Sequence, residues 1–178
     1  MITVEDLQAF ENDIADQFQH GRIRGPVHLS RGNEAELIRI FTFVRPDDWV
    51  FSTHRSHHHA LLKGVPLAWL RDEILAGRSI TINNREHKFF SSAIVGGVLP
   101  IALGVAMGRE RVWCFVGDMA AETGIFHECV KYANGHSLPI KFVVEDNGYS
   151  VDTPTQDVWR YTYERKLPHQ GVGHFVIF

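Results

Sequence analysis

Two apolar runs, Val112-Trp113-Cys114-Phe115-Val116 and Leu138–Val144, decide the fold of this chain. Continuous apolar runs are typical of strands that are covered on both faces of a parallel sheet. Residues 121–136 lie between them and have the apolar spacing of a helix. Strand, helix and strand in this order form a βαβ unit. The sequence therefore predicts an α/β fold in which helices flank a parallel sheet.

Further elements are predicted on both sides of this unit. Apolar spacing indicates helices over 3–20, 31–44, 66–77 and 96–108, with Ser30 as the cap of the second. Short strands are expected at 49–51 and 174–178. The second strand is expected to be a natural end of the chain rather than a cut within an element. Residues 52–59 are a polar segment, and residues 78–92 show no period and are expected to form a loop.

Length and composition exclude several classes of protein. The 178 residues are 44% apolar and 22% charged, which is ordinary for one globular domain, here taken as residues 1–178. The net charge of −3 and the lack of a Lys/Arg run argue against a nucleic-acid partner. No apolar stretch reaches the roughly 18 residues of a membrane span, and the N-terminus has no signal-peptide pattern. Cys114 and Cys129 lie in apolar patterns, as expected for free thiols in the cytoplasm.

Polar residues follow both decisive strands at the point where each strand ends. Gly117-Asp118 follows the first, and Glu145-Asp146-Asn147-Gly148-Tyr149 follows the second. Ligands of open parallel sheets bind at this edge. A carboxylate and an amide oxygen suit Mg²⁺, and a helix that starts near Ala120 would attract a phosphate with its N-terminus. Both segments are also ordinary turn compositions, so residue chemistry alone leaves a plain turn open.

A sequence motif at this edge of the sheet supports a ligand site. Gly117-Asp118, followed after nearly thirty residues by Asn147, resembles the thiamine diphosphate (ThDP) motif. The surrounding text is similar to the α subunit of the E1 component of 2-oxo acid dehydrogenases, and the resemblance spans roughly residues 25 to 155. The segments that carry it are 28–35 (HLSRGNEA), 54–55 (HR), 91–97 (SSAIVGG), 117–128 (GDMAAETGIFHE), 138–139 (LP) and 145–149 (EDNGY).

This resemblance implies a ThDP-binding fold of the diphosphate-binding type, with Mg²⁺ and ThDP as cofactors. Asp118 and Asn147 would hold the metal through side-chain oxygens, and Tyr149 through its backbone carbonyl. The implied cofactor contacts are these three residues together with His54, Arg55, Ile94, Val95, Gly117, Met119 and Ala120. In the family's pattern, Arg55 and the N–H groups of Met119 and Ala120 face the diphosphate, His54 replaces a tyrosine, and the backbone of Ile94 and Val95 lies near the aminopyrimidine.

The sequence departs from the family at several positions. Met119 replaces the glycine at the third position of the motif, which is tolerable if its φ stays negative. Thr81 stands where the family has an active-site histidine. The histidines at 57–59 follow Arg55 closely, and His57 and His58 are therefore candidate catalytic acid–base groups. The alternative interpretation is that the three histidines bind a metal ion, although consecutive side chains point in different directions.

The resemblance also implies a partner chain. The family's activating glutamate lies on a separate pyrimidine-binding domain, which belongs to a β subunit, and this chain matches only the diphosphate-binding domain. We therefore expect a 2-oxo acid as substrate and a β-type subunit in a hetero-oligomer (α2β2), or a homodimer when the chain is isolated. The alternatives are a split transketolase-like subunit and a non-catalytic ThDP-binding regulatory protein.

Overall fold

The computed structural model describes residues 2–159 and 175–177. The helices and strands of this part of the chain follow in order: α1 (Val4–Gln19), α2 (Glu34–Phe41), β1 (Trp49–Ser52), α3 (His57–Leu62), α4 (Leu67–Leu75), β2 (Asn83–Asn84), β3 (Phe89–Ser91), α5 (Val98–Met107), β4 (Val112–Gly117), α6 (Asp118–Ala121), α7 (Gly124–Gly135), β5 (Ile140–Glu145), β6 (Tyr149–Ser150), β7 (Thr153–Pro154), α8 (Thr155–Trp159) and β8 (Phe175–Ile177).

Six of these strands form one sheet in the order β2-β3-β1-β4-β5-β8. Its four central strands, from β3 to β5, are parallel, and β2 and β8 run antiparallel at the two edges. In the β4–β5 register Gly117 lies opposite Glu145, so both strands end at the same edge. The predicted βαβ unit and the α/β fold are confirmed, and so is a terminal strand at 175–177.

The core lies in two layers because successive residues of a strand face opposite sides of the sheet. On β4, Trp113 and Phe115 pack into the layer formed with α1 to α4, whereas Cys114 and Val116 pack into the layer formed with α5 to α7. Both strand faces are therefore buried, which explains the continuous apolar run. Cys114 and Cys129 are buried free cysteines, and burial raises the pKa of both thiols.

Two predicted boundaries differ from the structure. The second helix covers Glu34–Phe41 rather than 31–44, and Asn33 precedes it. Ser30 does not cap this helix, because the helix begins at Glu34 and Asn33 occupies the N-cap position. The Ser30 N–H donates instead to the carboxyl group of Glu11 on α1. The expected loop over 78–92 contains β2 and β3. Strands of two and three residues are too short to show an alternating pattern, and β3 exists because its backbone pairs with β1.

The structure also differs from the sequence-based expectation at residues 52–59 and 121–136. The last three residues of the polar segment at 52–59 begin α3 and are buried. The expected helix over 121–136 is α7, which begins at Gly124, and the single turn α6 precedes it. Thr123 has an extended backbone (φ −77°, ψ 149°), which separates the two helices, and its hydroxyl group donates to the Ala120 carbonyl at 2.6 Å. Within the described residues, no helix combines the length and the apolar character that a membrane span requires.

Candidate functional site

A cleft of about 680 Å³ opens at the carboxyl edge of the parallel strands. Segments that follow β1, β3, β4 and β5 line it, as expected for an open α/β sheet. All ten residues that the resemblance assigns to cofactor binding lie along this cleft, namely His54, Arg55, Ile94, Val95, Gly117, Asp118, Met119, Ala120, Asn147 and Tyr149. The tertiary structure thus brings together residues from four separate parts of the sequence.

Asp118 and Asn147 provide hard oxygen donors on one side of the cleft. Asp118 is only 3% exposed, and its Oδ1 accepts the Met119 N–H at 2.7 Å. The side-chain Oδ1 of Asn147 accepts the Tyr149 N–H at 2.9 Å and so holds the turn in place. An amide oxygen has two acceptor sites, so this bond leaves room for a cation. The pair therefore fits Mg²⁺, which prefers such oxygens.

Arg55 and His54 lie on the other side, after β1. The Nη1 of Arg55 donates to the Leu29 carbonyl at 2.6 Å, which fixes one edge of the guanidinium group. The ring of His54 packs edge-on against His28, with centroids 4.6 Å apart. Burial, and then the neighbouring charges of His28 and Arg55, lower the pKa of His54 to about 4. His54 is therefore a neutral imidazole near pH 7 and has one N–H to donate.

The lowered pKa of His54 predicts a loss of stability in mild acid. The unfolded chain takes up a proton near the ordinary histidine pKa of about 6.5, whereas the folded chain resists protonation down to about 4. Stability therefore falls as the pH drops through this window, and His54 contributes about 1–2 kcal/mol of that loss between pH 7 and pH 5. Burial also lowers the pKa values of His28 and His58, so their contributions have the same sign.

Urea unfolding of the full chain at a series of pH values measures this effect. His54→Gln keeps a polar side chain but removes the titration, so the slope of unfolding free energy against pH should become shallower. Identical slopes for the variant and the wild type would contradict the assignment.

Met119 tolerates its place in the motif, but its N–H has a different partner from the one expected. Met119 is not among the described non-glycine residues with positive φ, so the replacement of glycine causes no backbone strain there. Its N–H donates to Asp118 instead of facing an incoming anion. Because α6 is a single turn, its dipole is also smaller than that of the long helix expected near Ala120.

Ile94 and Val95 form an apolar rim, with exposed fractions of 73% and 68%. Both backbone groups of Ile94 are already engaged. Its N–H donates to Ser92 Oγ, and its carbonyl accepts the N–H of Gly97. The Ile94 N–H is therefore not available to a ligand, whereas its carbonyl oxygen keeps a second acceptor site.

The structure does not bring His57 and His58 to the cleft. They are 0% and 1% exposed and lie in the core behind it. His57 Nε2 is 2.9 Å from Ser79 Oγ, and Nδ1 of His57 and Nε2 of His58 are 3.5 and 3.7 Å from Glu11. A catalytic group must reach its substrate, so the expected acid–base role is corrected to a structural one. A histidine metal cluster is not found either, because residues 2–159 and 175–177 contain no group of three or more His, Cys, Asp or Glu side chains that could hold a metal ion.

Four linked polar residues, two of which line the cleft, were not assigned to the site from the sequence. Glu145 ends β5, and its Oε1 is 2.8 Å from Nε2 of His59, while its Oε2 accepts the Asn33 amide N–H at 3.0 Å. Nδ1 of His59 is 2.7 Å from Ser52 Oγ. Glu145 could have been found from its place at the end of a strand, whereas nothing in the sequence shows the direction of His59. Thr81 is exposed and lies outside the cleft lining.

Comparison with known proteins gives a consistent result. A family model described as "Dehydrogenase E1 component" matches residues 3–174. The alpha subunit of acetoin:2,6-dichlorophenolindophenol oxidoreductase from Bacillus subtilis (strain 168) is 32% identical over 165 residues, which are 84% of this chain and 50% of the relative. The pyruvate dehydrogenase E1 component subunit alpha of Porphyra purpurea is 32% identical, over 85% of this chain and 52% of the relative. That of Rickettsia felis is 28% identical, over 93% and 55%. The chain thus spans about half the length of the curated relatives it matches.

Proposed function

Because the chain belongs to the dehydrogenase E1 component family, we propose that it is an alpha-type subunit of a ThDP- and Mg²⁺-dependent enzyme that acts on a 2-oxo acid. One observation carries the proposal: Arg55, Asp118 and Asn147, which are distant in sequence, line the same cleft at the carboxyl edge of the sheet. A permanent cation with fork geometry suits a diphosphate, and the two oxygen donors suit the metal that accompanies it.

Different residues of the cleft would bind the metal ion and the diphosphate. Asp118 and Asn147 would hold Mg²⁺, with Tyr149 adding its carbonyl, and Arg55 and the neutral His54 would donate to the diphosphate. When bound, ThDP supplies a nucleophilic carbon and an electron sink for 2-oxo acid chemistry. The apolar rim at Ile94 and Val95 would exclude water from the mouth of the cleft.

The contacts of the Glu145 carboxyl group support the proposal that the enzyme needs a partner chain. It is the only glutamate among the described residues that line the cleft, and its two carboxyl oxygens are engaged by His59 and Asn33. It is therefore poorly placed to serve as the activating glutamate of the family. We propose that a β-type subunit with a pyrimidine-binding domain supplies that residue, within a hetero-oligomer (α2β2) to which residues 1–178 contribute one domain.

Purification of the tagged chain from its native host, followed by a substrate screen with ThDP and Mg²⁺, tests the proposal. We expect a second chain to co-purify and the complex to consume a 2-oxo acid, whereas the chain alone should be inactive. Turnover by the chain alone would contradict the proposal that a partner chain completes the active site. Consumption of a sugar phosphate donor only would favour a transketolase-like subunit, and ThDP binding without any turnover would favour a regulatory protein.

A further inference from the structure

A buried carboxyl group lies directly behind the wall of the cleft. Glu11, on α1, is 1% exposed, and its two oxygens accept the Ser30 N–H at 3.0 and 2.9 Å. His57 and His58 complete its surroundings. Burial of a polar group carries a cost that an apolar side chain would avoid, so the contribution of Glu11 lies in what it holds.

What Glu11 holds is a single peptide group of the cleft wall. The Ser30 N–H and the Leu29 carbonyl belong to the same planar peptide unit, and in a trans peptide they point in opposite directions. No described peptide bond is cis. On one side the N–H donates to Glu11, and on the other the carbonyl accepts from Arg55 Nη1 at 2.6 Å. Glu11 and Arg55 are thus joined through one rigid plane.

The rest of this wall segment has its own anchors. The Gly32 N–H donates to the carboxyl group of Glu34 at 3.1 and 3.2 Å, and Nη2 of Arg31 donates to Asn12 at 3.1 Å. Removal of the Glu11 carboxyl group should therefore free the peptide between Leu29 and Ser30 without releasing the whole segment. The consequence would be confined to the carbonyl that orients Arg55.

We propose that Glu11 is a positioning residue for the diphosphate-binding arginine. It holds the 29–30 peptide so that the Leu29 carbonyl engages one edge of the Arg55 guanidinium and leaves the other N–H groups for the ligand. An arginine has five N–H donors in a fixed fork, so orientation decides how many of them reach a phosphate. Chained hydrogen bonds also polarise one another, which strengthens the link. This inference rests on the proposed function for the identity of the ligand.

Two variants of Glu11 and one matched control separate positioning from stability. Glu11→Gln keeps one acceptor oxygen, whereas Glu11→Leu keeps the approximate volume and no acceptor. Asp13→Asn makes the same carboxyl-to-amide change on the same helix, where Asp13 pairs with Arg71 far from the cleft lining. Two readouts apply: ThDP affinity with Mg²⁺, by calorimetry on the complex with the co-purified chain, and the ¹⁵N NMR signals of the Arg55 guanidinium in the full chain without ligand.

We expect ThDP affinity to fall about fivefold in Glu11→Gln and about tenfold or more in Glu11→Leu, and to be unchanged in Asp13→Asn. The guanidinium of Arg55 should rotate slowly in the wild type and in Asp13→Asn but freely in Glu11→Leu. With Arg55→Ala in the background, the Glu11 variants should cause no further loss of affinity, because their effect passes through Arg55. Thermal melting of each variant should show that affinity and stability change independently.

The outcomes distinguish this inference from the proposed function. A wild-type complex that does not bind ThDP contradicts the proposed function, and the NMR readout still decides the role of Glu11. If the Arg55 signals are the same in Glu11→Leu and the wild type, or if the losses from Glu11→Gln and Arg55→Ala add, the positioning role is wrong.

Discussion

Replacement of Asp118 with alanine is expected to abolish Mg²⁺-dependent ThDP binding by the reconstituted complex. The carboxylate is the one charged oxygen donor of the proposed metal pair, and the amide of Asn147 cannot replace its charge. Loss of a ligand from a metal site that has only two side-chain donors should cost more than the 10- to 100-fold typical of supporting residues. We expect ThDP affinity at saturating Mg²⁺ to drop by at least about 100-fold, or roughly 3 kcal/mol, in a calorimetric titration.

Asp152→Asn is the matched control for this experiment. Asp152 is an exposed carboxylate that also lines the cleft, and the family resemblance gives it no role in cofactor binding. Its replacement removes a similar charge from the same cleft and should leave the affinity within about threefold of the wild type. Unchanged affinity in Asp118→Ala, or an equal loss in Asp152→Asn, would mean that Asp118 is not the metal ligand.

Replacement of Arg55 with alanine should weaken ThDP binding by about 1–3 kcal/mol, which is about five- to 150-fold. The expected loss is that of charged hydrogen bonds between the guanidinium and the diphosphate. Arg55→Lys keeps the charge but loses the fork geometry, so its affinity should lie between those of the wild type and the alanine variant. Calorimetry on the reconstituted complex measures all three.

The two sides of the cleft can be separated by removing the metal. In the presence of EDTA the Asp118→Ala and wild-type affinities should converge, whereas the Arg55→Ala defect should persist. Arg31→Ala serves as the control, because Arg31 is an exposed arginine on the cleft lining whose guanidinium bonds to Asn12. A loss of affinity in Arg31→Ala as large as that in Arg55→Ala would point to general charge attraction instead of a specific contact.

Much of the fold was predictable from the sequence because its central strands are buried on both faces. The apolar runs of β4 and β5 and the polar residues just after them show where each strand ends and where a ligand can lie. Parallel pairing then brings the two ends together without further information. The same reasoning fails for β3, whose three residues form a strand because the backbones of β1 and β2 lie beside them.

The three histidines at 57–59 show a limit of inference from sequence patterns. His57 and His58 follow Arg55 by only two and three residues, and this proximity suggested a shared role. A helix rotates its side chains by about 100° per residue, so three consecutive side chains do not all face one site. In the structure His57 and His58 turn towards Glu11, whereas His59 turns towards Glu145.

The sequence by itself determined the α/β class and the edge of the sheet at which the cleft opens, because short-range patterns of burial show where each strand ends. Its resemblance to the E1 family, rather than any pattern of burial, pointed to ten of the residues that line the cleft. Only the tertiary structure decided which polar groups meet. The contacts of Glu11 with Ser30 and of Glu145 with His59 join residues that are far apart in the chain. Such pairs depend on how α1 and α3 pack behind the cleft, and no local pattern records that packing.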